Sequence, residues 1–331
     1  MKTSVLVTGG AGFMGSHIAE ELCRQGYAVV IIDDLSGGFK ENLPDKAHFF
    51  EGNILDMKLL DDLFKKYKFK YVFHLAAYAA EGLSHFIKRF NYTNNVIGSM
   101  NLINQSINHN IDCFVFTSSI AVYGSNQLPL KEEFIPSPQD SYGIAKFTVE
   151  QELKICKELF DLNYIIFRPH NVYGERQNIG DKYRNVIGIF MNNILAGEPV
   201  QIFGDGKQSR AFSYIMDIAP IIAGAVKNKD CYNQVFNIGA DKAYTINELA
   251  DMVIHIMGKD TKKEYLDFRH EAVHAYSDHN KLKKFFNFKE SVSLEDGLSK
   301  MARWVKKVGV RQTKKFENIE ILKNIPKSWL S

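Results

Sequence analysis

Val7-Thr8-Gly9-Gly10-Ala11-Gly12-Phe13-Met14-Gly15 runs out of an apolar stretch, Ser4–Thr8, and into a helical pattern near residues 14–25. Glycines 9, 12 and 15 have separate physical jobs. The first permits a tight turn, the second lets main chain approach a pyrophosphate, and the third lets helix and strand pack closely. The helix N-terminus then turns unpaired N–H groups toward the anion. A glycine pattern alone is weak, and a purely structural turn is the plainer reading. Here a strand precedes it, a helix follows, and a second strand ends in Asp33-Asp34. A carboxylate at Asp33 would bond the adenosine ribose hydroxyls and repel a 2′-phosphate, and the nearest base is Lys40. The stretch therefore predicts a dinucleotide site that takes NAD rather than NADP.

Outward from this turn, short β-rich runs alternate with helical patterns. Strands are expected at Ser4–Thr8, Ala28–Asp33, His48–Glu51, Tyr71–Leu75, Asp112–Thr117 and Tyr164–Arg168, with helices near 14–25, 56–67, 88–109 and 140–161. Strands apolar throughout predict an α/β fold, a Rossmann-type doubly wound parallel sheet with helices on both faces. After Pro169 the pattern loosens into a helix near 186–196, strands at Val200–Phe203 and Phe212–Ile215, and a helix near 217–227. A strand near Gln234–Ile238 follows, then a helix opened by Thr245 with Glu248 three later, and helices near 280–286 and 294–308. The expected organisation is a dinucleotide domain over 1–170, with parts of 204–240 returning to it. A smaller mixed α/β substrate-binding lobe covers most of 171–310, and 311–331 is a C-terminal tail.

Composition narrows the class. The 331 residues are 45% hydrophobic and 24% charged, with a net charge of +3, too little to argue for nucleic acid. Lysine runs at 65–70, 281–284 and 306–315 interrupt amphipathic patterns and read as solvated helix faces. Cysteines 23, 113, 156 and 231 show no CxxC spacing and sit in apolar surroundings, as reduced, packed thiols do. No apolar run reaches the length of a membrane span, and the N-terminus enters a strand without a signal-peptide core. A cytoplasmic location is the expectation.

Ser141-Tyr142-Gly143-Ile144-Ala145-Lys146 opens a helix and puts Tyr142 and Lys146 on one face. An amphipathic helix with a snorkelling lysine is the bland alternative. The chemistry favours function. A base that removes a hydroxyl proton during hydride transfer should titrate near the working pH, about three units or ~4 kcal/mol below free tyrosine. One positive charge ~5 Å away at an effective dielectric of ~20 supplies roughly 3 kcal/mol. Lys146 and an oxidised nicotinamide together could suffice, and a hydroxyl from Thr117-Ser118-Ser119 could bond the same substrate oxygen.

From about residue 3 to 305 the chain resembles the extended short-chain dehydrogenases/reductases, specifically the nucleotide-sugar epimerase/dehydratase group and, within it, the UDP-glucose 4-epimerases. The carrying motifs are TGGAGFMG, IIDDLS, EGNILD, HLAA, NNVIG, TSSIAVYG, SYGIAK, RPHNVYG, IFGDGKQSRAFSYI and RHEAVHAYSD. The resemblance implies Ser119, Tyr142 and Lys146 as catalytic residues. It implies a cofactor set of Gly9, Gly12, Phe13, Met14, Gly15, Asp33, Asp34, Leu35, Ser36, Gly37, Asn53, Ile54, Leu75, Ala76, Ala77, Asn95, Thr117, Tyr142, Lys146 and Pro169. On the substrate side it implies Ser119, Asn171, Asn185, Val186, Gln201, Phe203, Arg210 and Arg269, with a nucleotide-diphosphate sugar, UDP-linked, as partner. Arginines suit that task, because a diphosphate matches fork-shaped donors. The chain departs from the pattern at Asn53, where many relatives carry Asp, and at Ala79, where epimerases often carry Lys. The segment Tyr78-Ala79-Ala80-Glu81-Gly82-Leu83-Ser84-His85 also departs, and in relatives that loop lies near the sugar.

In the resembling 4,6-dehydratases an Asp-Glu pair follows the catalytic Thr and eliminates water; here Ile120-Ala121 stands there and cannot move protons. What remains is oxidation at C4 and its reversal: a UDP-hexose 4-epimerase acting through a transient 4-keto sugar. The alternatives are a C4 dehydrogenase or ketoreductase of the same family, and a non-catalytic NAD-binding protein. His270-Glu271-Ala272-Val273-His274 matches HExxH, but a zinc site needs a helix and a third ligand, and His279 is wrongly spaced for one. No metal is expected. YGERQNIGDKYRN, 173–185, reads as a surface loop or a substrate lid, and the helices near 88–109 and 140–161 match the pair that forms a homodimer in relatives.

Overall fold

The computed structural model describes residues 2–268, 272–289, 291–312 and 316–330. The strands are β1 (Ser4–Thr8), β2 (Ala28–Asp33), β3 (His48–Glu51), β4 (Tyr71–His74), β5 (Cys113–Thr117), β6 (Tyr164–Pro169) and β7 (Val172–Tyr173). They continue as β8 (Val200–Phe203), β9 (Ser209–Ala211), β10 (Ser213–Tyr214), β11 (Gln234–Ile238), β12 (Ala243–Thr245), β13 (Lys263–Leu266) and β14 (His274–Ala275). The α-helices are α1 (Phe13–Arg24), α2 (Met57–Tyr67), α3 (Glu81–Ser84), α4 (Lys88–Tyr92), α5 (Gly98–Asn108) and α6 (Ser141–Phe160). After them come α7 (Val186–Ala196), α8 (Ile215–Gly224), α9 (Ile246–Met257), α10 (Asn280–Phe286), α11 (Leu294–Val308) and α12 (Lys327–Leu330).

Seven strands pair in parallel in the order β11-β6-β5-β4-β1-β2-β3. The order runs outward from β1 through β2 and β3, then resumes at β4 on the other side of β1. That reversal leaves a crevice above the C-terminal ends of β1 and β4, where ligands bind in such sheets. Both faces are covered, which explains strands without alternation. On one face Leu60 and Phe64 of α2, Leu102 of α5 and Val149 and Leu153 of α6 form the core. On the other, α1 and α8 meet Ile187 and Phe190 of α7, Leu249 of α9 and Leu298 of α11 in one continuous cluster.

Two expectations need correction. The helix over 88–109 is continuous only with a π segment, Thr93–Ile97, between α4 and α5. It forms where Asn95 turns its side chain inward to bond the main chain of Tyr78. The strand expected at Phe212–Ile215 is reduced to Ser213–Tyr214 (β10), and a separate strand, β9, ends just before it at Ala211. β9 pairs with β12 and β14 while β10 pairs with β7, so the chain changes sheets at Phe212, and Ile215 already begins α8. The capping box at Thr245 and Glu248 is present. Among the described residues no helix is long and apolar enough to cross a membrane, and the four cysteines are unpaired.

Candidate active site

The turn after β1 opens a long trough over the crevice. Gly9 has φ +70°, and a Cβ there would meet the Ala76 main-chain nitrogen at 2.7 Å; one on Gly15 would lie 2.0 Å from the Gly9 carbonyl oxygen. Main chain is thus packed on main chain, as the motif requires. Asp33, at the end of β2, accepts N–H bonds from Ala11 (2.9 Å) and Leu35 (2.8 Å). Burial raises its pKa and these N–H groups oppose the rise. Asn53 donates to Asp34 at 2.7 Å and braces the same corner. At the end of β4 the buried His74 joins the hydroxyls of Thr8 (2.7 Å) and Ser99 (2.8 Å); burial pushes its pKa down to about 3, so the ring is neutral.

The three hydroxyls after β5 go three ways. Thr117 Oγ1 is buried at the trough and has no partner. Ser118 donates to Glu150 of α6, whose carboxylate also binds Arg168 of β6 in a fully buried ion pair. Ser119 caps a short 3₁₀ turn, Ile120–Tyr123, by accepting the Ala121 N–H at 3.1 Å, and its hydroxyl is near enough to the Tyr142 phenol to favour the phenolate. Asp140 caps α6, which begins one residue before Tyr142, and Ser84 of α3 accepts the Tyr142 main-chain N–H at 3.1 Å. One turn along, Lys146 donates to the Thr117 carbonyl at 2.8 Å, with its ammonium 5.8 Å from the Tyr142 ring centre. Ile120 and Ala121 line the trough beside them.

Burial is the largest influence on the ionisation of both Tyr142 and Lys146. It raises the Tyr142 phenol well above its ordinary value, Glu81 and Asp140 adding to the rise while Ser119 and Arg184 oppose it. It pushes Lys146 down to about 7 against the pull of Glu150. The polypeptide alone therefore does not lower the tyrosine, and the lowering expected from Lys146 together with an oxidised nicotinamide would rest on the bound cofactor.

The trough is lined by Gly9, Gly12–Gly15, Asp33–Gly37, Asn53, Ile54, Leu75–Ala77, Thr117, Ser119, Tyr142, Lys146 and Pro169, and farther along by Asn171, Asn185, Val186, Gln201, Phe203 and Arg210. Asn95 stands one layer back, bonded to Tyr78 and Asn91, so it braces the wall instead of lining it. Arg210 is tied to the carbonyls of Ser209, Ala272 and Val273. Arg269 lies outside the described residues, as do His270 and Glu271. His274 sits in a strand and bonds the Ser209 hydroxyl at 2.8 Å. No group of three metal-ligating side chains occurs among the described residues.

Sequence reasoning gave no site role to Arg184 or Phe316, which line the trough together with Tyr78 and Glu81 of the stretch that the resemblance puts near the sugar. Arg184 pairs with Asp181, stacks on Tyr78 with its guanidinium 4.8 Å from the ring centre, and reaches within 2.8 Å of where a Cβ on Gly37 would stand. Arg184 belongs to the segment 173–185, which the sequence reads as either a surface loop or a substrate lid. The unpaired Thr117 hydroxyl, the Asp33 carboxylate held at the strand end and the main-chain cradle at Gly9–Gly15 are a donor and acceptor set that fits a dinucleotide.

Comparison with known proteins agrees. The profile of the NAD dependent epimerase/dehydratase family matches residues 5–239. The UDP-glucose 4-epimerase of Halalkalibacterium halodurans is 33% identical over 270 residues, covering 77% of this chain and 80% of its own. The UDP-glucose 4-epimerase of Thermotoga maritima, solved with UDP-glucose, superposes with a TM-score of 0.88 at 36% identity, over 92% of this chain and 99% of its own. The UDP-N-acetylglucosamine 4-epimerase of Methanobrevibacter ruminantium, solved with UDP-N-acetylmuramic acid, gives a TM-score of 0.85 at 36% identity, over 92% and 98%. With this fold, this glycine turn and Tyr142 and Lys146 one helical turn apart over the trough, the chain belongs to the NAD dependent epimerase/dehydratase family of nucleotide-sugar enzymes, and its cofactor is NAD.

Proposed function

We propose that the protein is a nucleotide-sugar 4-epimerase of the UDP-hexose type, working through a transient 4-keto sugar. The observation that carries this reading is the meeting of Ser119, Tyr142 and Lys146 over the cofactor trough while Ile120 and Ala121 fill the positions beside them. The site has a base for a hydroxyl proton and, next to Ser119, no acid/base pair for eliminating water.

In this reading Tyr142 takes the C4 hydroxyl proton and Ser119 bonds the same oxygen. Lys146, tethered to the Thr117 carbonyl, orients the cofactor ribose and adds positive charge near the phenol. NAD, when bound, would supply a hydride acceptor for C4 and a positive charge beside the buried Tyr142 phenol. Asn171, Asn185, Arg210 and Arg269 hold the diphosphate, and Gln201 and Phe203 border the base. The ketone would turn about its diphosphate linkage, and Tyr142 would return the proton to the C4 oxygen as the opposite face is reduced. Protons and electrons balance with no external reductant.

Incubation with UDP-glucose, UDP-N-acetylglucosamine, UDP-glucuronate and GDP-sugars, followed by NMR, tests the proposal; inversion at C4 is the expected result. A released keto product or a change at 340 nm without inversion would assign the C4 dehydrogenase or ketoreductase reading instead. Tyr142→Phe should lower kcat by about 10² or more, and full activity in that variant would refute the assigned base. We further infer a homodimer through the helices bearing exposed Ile97, Ile144, Ile155 and Leu159, which sedimentation would show.

A further inference from the structure

The described residues beyond α11 return to the trough and touch three of its rims. Arg311 lays its guanidinium 3.8 Å from the Phe39 ring centre and pairs with Glu41, both in the loop that follows Asp33. Its main chain is bonded twice to Asn192 of α7, at 2.9 and 3.0 Å. Farther on, Phe316 donates its N–H to the Tyr183 hydroxyl at 3.2 Å and packs its ring on Tyr78 (5.4 Å) and Phe90 (4.9 Å). Glu320 accepts the N–H groups of Arg89 (2.8 Å) and Phe90 (2.9 Å), and its own N–H donates to the Phe86 carbonyl at 2.8 Å. Trp329, only 3% exposed, meets Tyr183 and Phe86 edge-on and lies over Gly82, where an added Cβ would come within 3.1 Å.

The adenosine-side loop, the 173–185 loop and the sugar-side loop are thus fastened to one another through the tail, with a small apolar core of its own at the join. These three loops border the trough in which a dinucleotide would sit. The sugar-side loop also carries Ser84, which accepts the Tyr142 N–H.

We propose that the C-terminal segment, through Arg311, Phe316, Glu320 and Trp329, is a clamp that retains NAD in its trough and holds the sugar-side loop against Tyr142. It is a positioning element, since none of its contacts needs to touch a reacting atom. The inference rests on NAD being the cofactor and stands whether or not the sugar is inverted at C4.

Two variants test it: the double change Glu320→Gln/Trp329→Ala in the full chain, and a chain ended after Gln312. The readouts are NAD bound per protomer after gel filtration and the rate at which bound NAD exchanges with labelled NAD. Both variants should exchange at least about tenfold faster than the parent, the equivalent of ~1.4 kcal/mol at the barrier, with the main thermal transition kept because the sheet core is untouched. A purely structural tail would move the melting temperature and leave exchange alone. Faster trypsin cleavage at Lys323 and Lys327 shows that the tail of the double variant is free, so that variant decides the matter if the shortened chain does not fold. Exchange at the parental rate in the shortened chain, or in a double variant whose tail is freely cleaved, overturns the proposal.

Discussion

Glu150→Gln removes one charge from the middle of the molecule and leaves Arg168 behind. Neither side chain is more than 2% exposed, the guanidinium bonds both carboxylate oxygens, and Ser118 bonds the same carboxylate. Arg168 Nη1 already lacks a partner, and the ring of Tyr123, 4.6 Å from the guanidinium carbon, is its remaining contact of note. An amide keeps the shape but not the charge, so Arg168 stays ionised and buried with only neutral acceptors. Breaking one side of such a pair costs about 3–5 kcal/mol. For 331 residues the unfolding entropy is roughly 0.7 kcal/mol per kelvin, so ~4 kcal/mol lowers the melting temperature by about 6 °C. Calorimetry or denaturant melts measure this directly. The decisive comparison is the double variant Glu150→Leu/Arg168→Met, which removes both charges at similar volume. It should recover most of the loss, because the cost lies in the abandoned charge and not in the missing pair; only about 1 kcal/mol should persist for the orphaned Ser118 hydroxyl. A single variant less than ~1 kcal/mol below the parent, or a double variant worse than the single, would refute this account of the core.

Three further outcomes follow from the same site. Lys146 titrates near 7 in the fold and near 10.5 unfolded, so between those values the unfolded chain holds an extra proton and stability rises with pH, by about 1.4 kcal/mol per unit; Lys146→Met should flatten that part of the slope between pH 7 and 9, and equal slopes in denaturant melts would count against it. His74 and His170 both fall to about 3 through burial, so stability should be lost as pH drops below 6.5 and toward 3, and imidazole NMR at pH 5 should still show both rings neutral. Thr117→Val replaces a buried hydroxyl that has no partner; the fold should be unharmed, while NAD titration should show binding weakened roughly three- to tenfold, the value of one hydrogen bond.

The strands of the main sheet were legible almost to the residue, because all but the half-buried edge strand His48–Glu51 are mainly apolar runs in a doubly covered sheet. Ser4–Thr8, Ala28–Asp33, His48–Glu51 and Gln234–Ile238 are observed at the anticipated bounds. The strands that escaped notice are short and paired across long separations: His274–Ala275 pairs with Ser209–Arg210, and Lys263–Leu266 with Val200–Phe203. Nothing in two to four residues announces such partners. Residues carried by motifs were placed at the trough, whereas Arg184, Tyr78 and Phe316 come from separate loops whose meeting is written in no local pattern. The ionisation of Tyr142 without its cofactor is not legible in the spacing for a related reason. Spacing reveals which charge is near, but only the packed structure shows that the phenol is buried deeply enough for desolvation to outweigh it.

Ser84 accepts the main-chain N–H of Tyr142 and so couples α3 mechanically to the first turn of α6. Ser84 lies inside Tyr78–His85, a stretch that departs from the family pattern. On the proposed reading, in which that stretch borders the sugar and Tyr142 is the base, exchanging it for one from another epimerase would alter sugar contacts and the aim of the base in the same operation. A graft that ignores position 84 should then change turnover before it changes what is bound.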